Sequence, residues 1–179
     1  MPYIAPYDGL IGLLKHHHKL WMAECLAGLL VQAMNRQREG VRCDDTDRAH
    51  RVSEHSAAMY INPVPTLLLP IPASRASLMR RGFNPAGELA RAVGRRLAVP
   101  VRHGLLVRTR EGPKQSELGR VARLRESVDL FTARGALSGQ HVGLVDDVMT
   151  TGGTLGAATL ALFDQGAASV SVLVAARTP

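Results

Sequence analysis

The sequence contains few cysteines and few aromatic side chains. Its 179 residues include two Cys, three Phe, three Tyr and one Trp. Cys25 lies in an apolar helical pattern and Cys43 in a polar stretch, so no disulfide is expected and a reducing cytoplasm is predicted. The low aromatic content gives no sign of the stacking platform with which proteins bind single-stranded nucleic acids.

Long apolar segments are also missing, and no secretory leader is expected. The apolar stretches are interrupted within about ten residues, whereas a membrane-spanning helix needs about 20. The first residues show no basic segment followed by an apolar region and a cleavage site. We therefore predict no membrane partner. The length suits a single domain over residues 1–179, with a helical or hood segment and a polar insert over 1–60 and a ligand-binding core over 61–179.

Positive charge is in excess. The formal net charge is +7, from 22 Lys and Arg against 15 Asp and Glu. This favours a polyanionic partner, either a pyrophosphate-bearing substrate or nucleic acid. The run Lys15-His16-His17-His18-Lys19 is expected to be a solvated basic segment. A metal site at His17 is less favoured, because metal-binding pairs on helices prefer a spacing of three or four.

The most informative stretch runs from residue 141 to residue 154. Residues 141–145 predict a buried strand with an apolar run from Val142 to Val145, Asp146 and Asp147 follow at its exit, and a turn of Thr and Gly leads into a helix. Such a turn can wrap a phosphate with backbone N–H groups, and the helix N-terminus adds partial positive charge. The two carboxylates can accept hydrogen bonds from neighbouring sugar hydroxyls. The combination predicts a site for a ribose that carries a phosphate.

Other nucleotide-binding motifs fit this stretch less well. A P-loop needs Gly-Lys followed by Ser or Thr, and the sequence contains no Gly-Lys pair. The dinucleotide fingerprint needs Gly-x-Gly-x-x-Gly, whereas Gly152, Gly153 and Gly156 are spaced differently. The remaining alternative is an ordinary strand-to-helix turn that carries two acids, but adjacent carboxylates at a strand exit serve no packing purpose.

The hydrophobic pattern predicts alternating helices and strands. Apolar residues three and four apart predict a helix over residues 10–35, and residues 36–58 are expected to form a polar loop. Residues 66–71 predict a buried strand, and a helix is expected after Asn84 as N-cap, with Pro85 at its first position. Further strands are predicted at 101–107, 141–145 and 169–175, and further helices at 116–125 and 155–164.

Several segments carry a resemblance to a known family. The run from His141 to Thr154 has four apolar residues, two acids, two apolar residues and a Thr-Thr-Gly-x-Thr loop. The other segments are Pro70-Ile71-Pro72, Arg81-Gly82-Phe83-Asn84, Arg108-Thr109-Arg110 with Gln115 and Leu118, and Arg125 with Phe131. Together they resemble the type I phosphoribosyltransferases, and within them the competence-associated, ComF-type branch. The resemblance covers residues 7–177.

The resemblance implies a fold and a binding site. The implied fold is α/β, with a Rossmann-like, mostly parallel central sheet of about five strands, flanking helices and a flexible lid or hood. Asp146 and Asp147 would hold the ribose hydroxyls of phosphoribosyl pyrophosphate (PRPP). Its 5-phosphate would be held by backbone amides and hydroxyls of Thr150, Thr151, Gly152, Gly153 and Thr154, and Val148 and Met149 would also belong to the ribose and phosphate site.

The resemblance also implies a metal ion, an oligomeric state and an N-terminal zinc-binding segment. PRPP would carry Mg2+ to a place near Asp146, with no metal ligated by the protein alone, and a homodimer is expected by analogy. Family members often begin with a cysteine-rich, zinc-binding finger. The sequence has no such cysteines, so it is expected to be a finger-less member or a shortened chain.

Two further segments are candidates for binding pyrophosphate. Ligands of open α/β sheets lie beyond the carboxyl ends of the strands, so Pro72, Ala73, Ser74 and Arg75 would lie beside the phosphate loop, with Arg80 or Arg81 assisting. The alternative is a turn surrounded by surface arginines. Residues 108–125 form either a mobile lid that brings Lys114 or an arginine onto the pyrophosphate, or a solvated loop, and the sequence favours neither.

These features leave two functions open. An enzyme would transfer phosphoribose from PRPP to an unidentified nitrogen acceptor and release pyrophosphate, with Asp146, Asp147 and Lys114 as catalytic residues. A non-catalytic protein would sense PRPP or handle DNA, including single-stranded DNA, during competence or DNA uptake. A salvage enzyme for a known purine or pyrimidine is less favoured, because the segments around the loop resemble the competence branch.

Overall fold

A computed structural model of the chain describes residues 7–16, 19–43, 64–110 and 130–178. Its helices are α1 (Tyr7–His16), α2 (Trp21–Cys43), α3 (Arg75–Arg81), α4 (Pro85–Leu97) and α5 (Gly153–Asp164). Its strands are β1 (Leu67–Pro70), β2 (Leu106–Arg108), β3 (Phe131–Ala133), β4 (His141–Met149) and β5 (Ser169–Arg177). None of the described helices combines the length and the apolar character needed to cross a membrane.

The main sheet is parallel and has the strand order β1-β4-β5. On the free side of β1, Val101 forms a parallel bridge with Leu68, through hydrogen bonds from Leu68 N–H to the Pro100 carbonyl and from Arg102 N–H to the Leu68 carbonyl. Strands β2 and β3 pair separately and antiparallel. The described residues therefore confirm the α/β class and the parallel sheet, with three strands and one bridge in place of about five strands.

Apolar side chains cover both faces of the sheet. Leu68 and Val145 pack in a buried layer with residues of α1, α2 and α4. Leu69, Val142 and Leu144 pack in a second layer with residues of α5. Neighbouring residues of a strand point to opposite faces, so a strand buried on both sides needs a continuous apolar run. Polar groups are consequently concentrated at the ends of the strands.

The helix predicted over residues 10–35 is two helices in the structure. The Lys19 N–H donates to the Leu13 carbonyl, six residues earlier, at 3.3 Å, so the four-residue hydrogen-bond ladder has ended at this point. The prediction of a loop from residue 36 is also wrong, because α2 continues to Cys43. Residues 44–58 of the predicted loop lie outside the described residues. Apolar spacing indicated the buried face but not the point at which the chain turns.

A short helix that the sequence pattern did not indicate, α3, follows β1. Ser74 caps it, because its Oγ accepts a hydrogen bond from the Ser77 N–H at 3.1 Å. Asn84 and Pro85 begin α4 as predicted, but the Asn84 side chain does not cap the helix. Its Nδ2 instead donates to the Ile71 carbonyl at 2.9 Å. The amide therefore ties the start of α4 to the end of β1.

The strand predicted over residues 101–107 is interrupted. Val101 makes one bridge, Gly104 turns the chain with a φ of 87°, and regular pairing resumes only in β2. Beyond β2 and β3, the Thr109 N–H donates to the Leu130 carbonyl at 3.0 Å. Residues 111–129, which include Lys114 and the helix predicted at 116–125, lie outside the described residues.

The close approach of β1 and β4 generates a prediction at Gly143. A Cβ atom there would lie 2.4 Å from Leu68 Cδ2 and 2.8 Å from the ring of Pro65. We expect Gly143→Ala to lower the free energy of unfolding by about 1–3 kcal/mol, because the strands must move apart. Urea unfolding measures this change. The control is Gly12→Ala in α1, where a Cβ meets nothing within 4 Å, and an equal loss in both variants would contradict the packing argument.

Candidate functional site

Strand β4 carries the two aspartates inside its regular ladder. It pairs with β5 through Asp146 opposite Val174 and continues as far as Met149 opposite Arg177. The expectation that the strand ends at residue 145 is therefore wrong, and the acids are the sixth and seventh residues of a nine-residue strand. The ladder persists because β5 runs on to Arg177, beyond its predicted end at residue 175.

The turn after β4 presents backbone N–H groups. Gly152 has a φ of 80°, in the left-handed region that favours glycine, and α5 begins at the next residue. The Gly156 N–H donates to the Gly152 carbonyl at 2.8 Å, whereas the N–H groups of Gly152, Gly153 and Thr154 have no hydrogen-bond acceptor among the described residues. Thr151 and Gly153 are exposed. The turn is thus open to an anion, which the helix N-terminus favours.

Asp146 and Asp147 lie on opposite faces of β4, as alternation along a strand requires. The Asp147 N–H donates to Asp146 Oδ1 at 2.9 Å. This hydrogen bond holds the Asp146 carboxyl beside the backbone of Asp147. Burial and then the charge of Asp147 raise the pKa of Asp146 to about 8, and the Lys15 ammonium opposes that rise. Burial therefore disfavours the charged form of the Asp146 carboxyl in the unliganded protein.

Lys15 is a site residue that the sequence interpretation missed. Its Nζ lies 2.7 Å from Asp147 Oδ2, and the two side chains are only 19% and 12% exposed. The expectation of a solvated basic segment is wrong at this position. The His16 side chain and residues 17 and 18 lie outside the described part. A signal was present in the sequence, because Ile11 and Lys15 are four residues apart and share one face of α1, and Ile11 is fully buried.

The predicted pyrophosphate segment lies at the same edge of the sheet as the acids. Pro70 pairs in parallel with Val145, and the Ile71 N–H donates to the Val145 carbonyl at 2.8 Å. Residues 72–75 therefore leave β1 at the level where Asp146 follows Val145 in β4. Ser74 is used as the cap of α3, and Arg75 begins that helix with an exposed side chain.

The other predicted cations differ in their surroundings. Arg80 is exposed, whereas Arg81 is partly buried and its Nε has no hydrogen-bond partner among the described residues. Arg108 lies next to the predicted pyrophosphate segment, because its Nε donates to the Pro72 carbonyl at 3.3 Å and its guanidinium lies 4.8 Å from the centre of the Phe131 ring. The sequence interpretation assigned Arg108 only to the start of the lid. Its contact with Pro72 joins two distant parts of the chain, which no local pattern indicates.

Comparison with known proteins identifies the family. The family model described as "Phosphoribosyl transferase domain" matches residues 76–179. The chain belongs to that family. Its similarity to competence proteins then confirms the resemblance to the ComF-type branch.

The relatives are similar over different shares of their length. Competence protein F of Haemophilus influenzae is 28% identical over 98% of this chain and 69% of its own length. Competence protein ComFC of Bacillus subtilis is 38% identical over 59% of this chain and 42% of its own length. A solved hypoxanthine phosphoribosyl transferase of Trypanosoma cruzi is 19% identical, with a TM-score of 0.45, over 85% of this chain and 63% of its own. The family assignment rests on the family model, and the fold on the strand order above.

The raised pKa of Asp146 predicts a pH-dependent stability. In the unfolded chain this carboxyl releases its proton near pH 4, whereas the folded state retains it up to about pH 8. The folded state therefore binds more protons across this window, and the free energy of unfolding should fall as pH rises through it. Urea unfolding of the unliganded protein at several pH values measures the slope. Asp146→Asn should flatten the curve, and parallel curves for the two proteins would contradict the assignment.

Proposed function

We propose that the chain binds PRPP at the carboxyl edge of the β1-β4-β5 sheet and transfers its phosphoribosyl group to a nitrogen acceptor, releasing pyrophosphate. The observation that carries the proposal is the open turn at Gly152, whose N–H groups lack an acceptor among the described residues and lie just beyond a strand that carries two acids near its carboxyl end. A phosphate on that turn and vicinal hydroxyls at the acids match the two ends of a ribose 5-phosphate. Family membership supports the same ligand.

In this proposal each part of the site has one task. Thr150, Thr151, Gly152, Gly153 and Thr154 bind the 5-phosphate through N–H groups and hydroxyls, and the preceding backbone at Val148 and Met149 sets the direction of the turn. Asp146 and Asp147 bind the ribose hydroxyls. Anchoring the sugar at both ends holds its anomeric carbon in a fixed position for displacement.

Departure of pyrophosphate requires positive charge at the opposite end of the substrate. The segment Pro72, Ala73, Ser74 and Arg75 lies at the correct sheet edge, and Arg81 has a donor, Nε, that lacks a partner among the described residues. Such groups stabilise the charge that develops on the leaving group of an oxocarbenium-like transition state. A catalytic role for Lys114 in a lid over this edge stays a prediction.

Magnesium fits this site as a component of the substrate. Among the residues that the structure describes, no three His, Cys, Asp or Glu side chains group as a metal site. The carboxyl oxygens of Asp146 match the preference of Mg2+ for oxygen ligands, as do the oxygens of a pyrophosphate. When bound, the ion would neutralise part of the pyrophosphate charge. The protein's own residues would orient the ribose and exclude water.

A second candidate is a non-catalytic protein that senses PRPP or handles DNA in competence. Two observations favour it: the similarity to proteins named for competence and the exposed arginines Arg75, Arg80 and Arg177 around the carboxyl edge. Single-stranded DNA is the polyanion that this role implies. The single domain, the homodimer and the cytoplasmic location stay predictions under either function.

Calorimetric titration with PRPP, with and without Mg2+, tests the proposal first. Magnesium-assisted binding at micromolar concentrations supports the site and justifies a screen of nitrogen acceptors for pyrophosphate release. Absence of binding would contradict the proposed function. Titration with single-stranded DNA at several salt concentrations tests the second candidate, because binding through phosphate contacts weakens steeply as salt rises.

Two neighbouring glycines provide a matched test of the phosphate anchor. Gly152→Ala places a side chain at a φ of 80°, which costs about 1–2 kcal/mol and shifts the turn. We expect the affinity for ribose 5-phosphate to fall about tenfold. Gly153→Ala is the control, because the nearest atom to its Cβ would be Thr151 Oγ1 at an ordinary 3.8 Å. Calorimetry measures both variants, and equal affinities would argue against an anchor at this turn.

The acids are tested by replacing both with amides. Asp146→Asn combined with Asp147→Asn removes the carboxylate acceptors but keeps the side-chain volume. We expect PRPP to bind about tenfold more weakly or worse, because hydrogen bonds to charged groups contribute about 1.5–3 kcal/mol. Circular dichroism checks that the double variant is folded. Full affinity in a folded double variant would exclude the acids as ribose ligands.

A further inference from the structure

The strongest feature that the function above does not use is the contact between α1 and β4. Lys15 precedes the family-matched residues 76–179 by many positions, yet its Nζ lies 2.7 Å from Asp147 Oδ2. Both side chains are largely removed from solvent, at 19% and 12% exposure. The pair lies where β4 approaches the open turn at Gly152.

We propose that Lys15 is a positioning residue of the PRPP site, which holds Asp147 Oδ2 so that the other carboxylate oxygen, Oδ1, faces a ribose hydroxyl. The inference rests on the proposed function. It makes the N-terminal helix α1 part of the binding site, although the helix lies outside the matched domain. Lys15 does not touch the substrate in this role.

The anchoring of α1 supports this role. Ile11 and Leu14 of α1 are fully buried against the sheet layer that contains Val145. The helix backbone is therefore fixed by packing, and the position of the Lys15 ammonium depends only on the side-chain torsion angles of Lys15. A residue that orients a binding group is effective when packing holds it in this way.

Stability alone is a weak explanation for such a pair. Removing two charges from water costs more than a surface ion pair repays, and apolar residues of similar volume often serve as well or better. A largely buried pair beside a candidate substrate site is better explained by the geometry that it imposes. Its second effect is electrostatic, since the ammonium lowers the pKa of Asp146 against the dominant effects of burial and the Asp147 charge.

The test compares three lysine variants in the full chain. Lys15→Met keeps the length of the side chain and removes the charge, and we expect ribose 5-phosphate to bind about tenfold more weakly, as for other residues that orient a ligand-binding group. Lys15→Arg keeps the charge, and because Lys15 makes a single contact with Asp147 rather than a bidentate or stacked one, it should retain affinity within about threefold of the wild type. Lys19→Met is the control, since Lys19 is exposed, and should leave the affinity unchanged. Inorganic pyrophosphate should bind equally to all four proteins.

A double-variant cycle separates positioning from direct contact. In an Asp147→Asn background, adding Lys15→Met should change the affinity for ribose 5-phosphate by less than about twofold, because Lys15 acts through Asp147. A further tenfold loss in that background would overturn the proposal in favour of direct contact with the ligand. A Lys15→Met variant that is folded and binds like Lys19→Met would also overturn it.

A measurement on the wild type covers the case in which Lys15→Met does not fold. The chain has three lysines, Lys15, Lys19 and Lys114, so 13C-methyl labelling of lysines gives few NMR signals. Ribose 5-phosphate should shift the Lys15 signal and leave the Lys19 signal in place. An unmoved Lys15 signal at saturation contradicts the inference, whereas failure of the wild type to bind PRPP or ribose 5-phosphate contradicts the proposed function itself.

Discussion

The parallel ladder between β1 and β4 determines where the candidate site residues lie. It aligns Pro70 with Val145, so the segment that leaves β1 and the acids that follow in β4 reach the same edge of the sheet. The strands can approach closely because Gly143 has no side chain to displace Leu68 and Pro65. Residues 72–75 lie some seventy positions from Asp146 and from the turn at Gly152 in the sequence, and this one pairing brings them to the same edge.

Burial on both faces of the sheet explains the electrostatics of the site. Strand β4 is apolar from Val142 to Val145, so Asp146 and Asp147 are the first positions at which its side chains can be charged. Both side chains are still partly or largely buried. The cost of burying a charged carboxyl is met in a different way at each residue. Asp146 has a raised pKa, whereas Asp147 is matched by the Lys15 ammonium. The two adjacent carboxyls therefore have different electrostatic surroundings although their chemistry is identical.

Local patterns in the sequence predicted the elements around the site well. The strands β1, β4 and β5, the helices α4 and α5, and the turn at Gly152 follow from apolar runs, a Pro at the start of a helix and a cluster of Thr and Gly residues. Sequence patterns failed where the role of a side chain depends on a contact with a residue far away in the sequence. The Asn84 amide bonds Ile71 instead of capping α4, Lys15 reaches Asp147, and Arg108 reaches Pro72. The break after α1 was also missed, because Leu13 and Leu20 are seven residues apart and would share one face of a continuous helix.

The hydrogen bond between Thr109 and Leu130 has a consequence for the length of chain between them. With β2 and β3 it fastens the two ends of residues 111–129 to each other beside the sheet edge. Once such ends are joined, doubling the length of a flexible insertion between them costs only about 0.6 kcal/mol in closure entropy. The stretch between these joined ends can therefore change in length at small cost, while the sheet and the turn at Gly152 are kept.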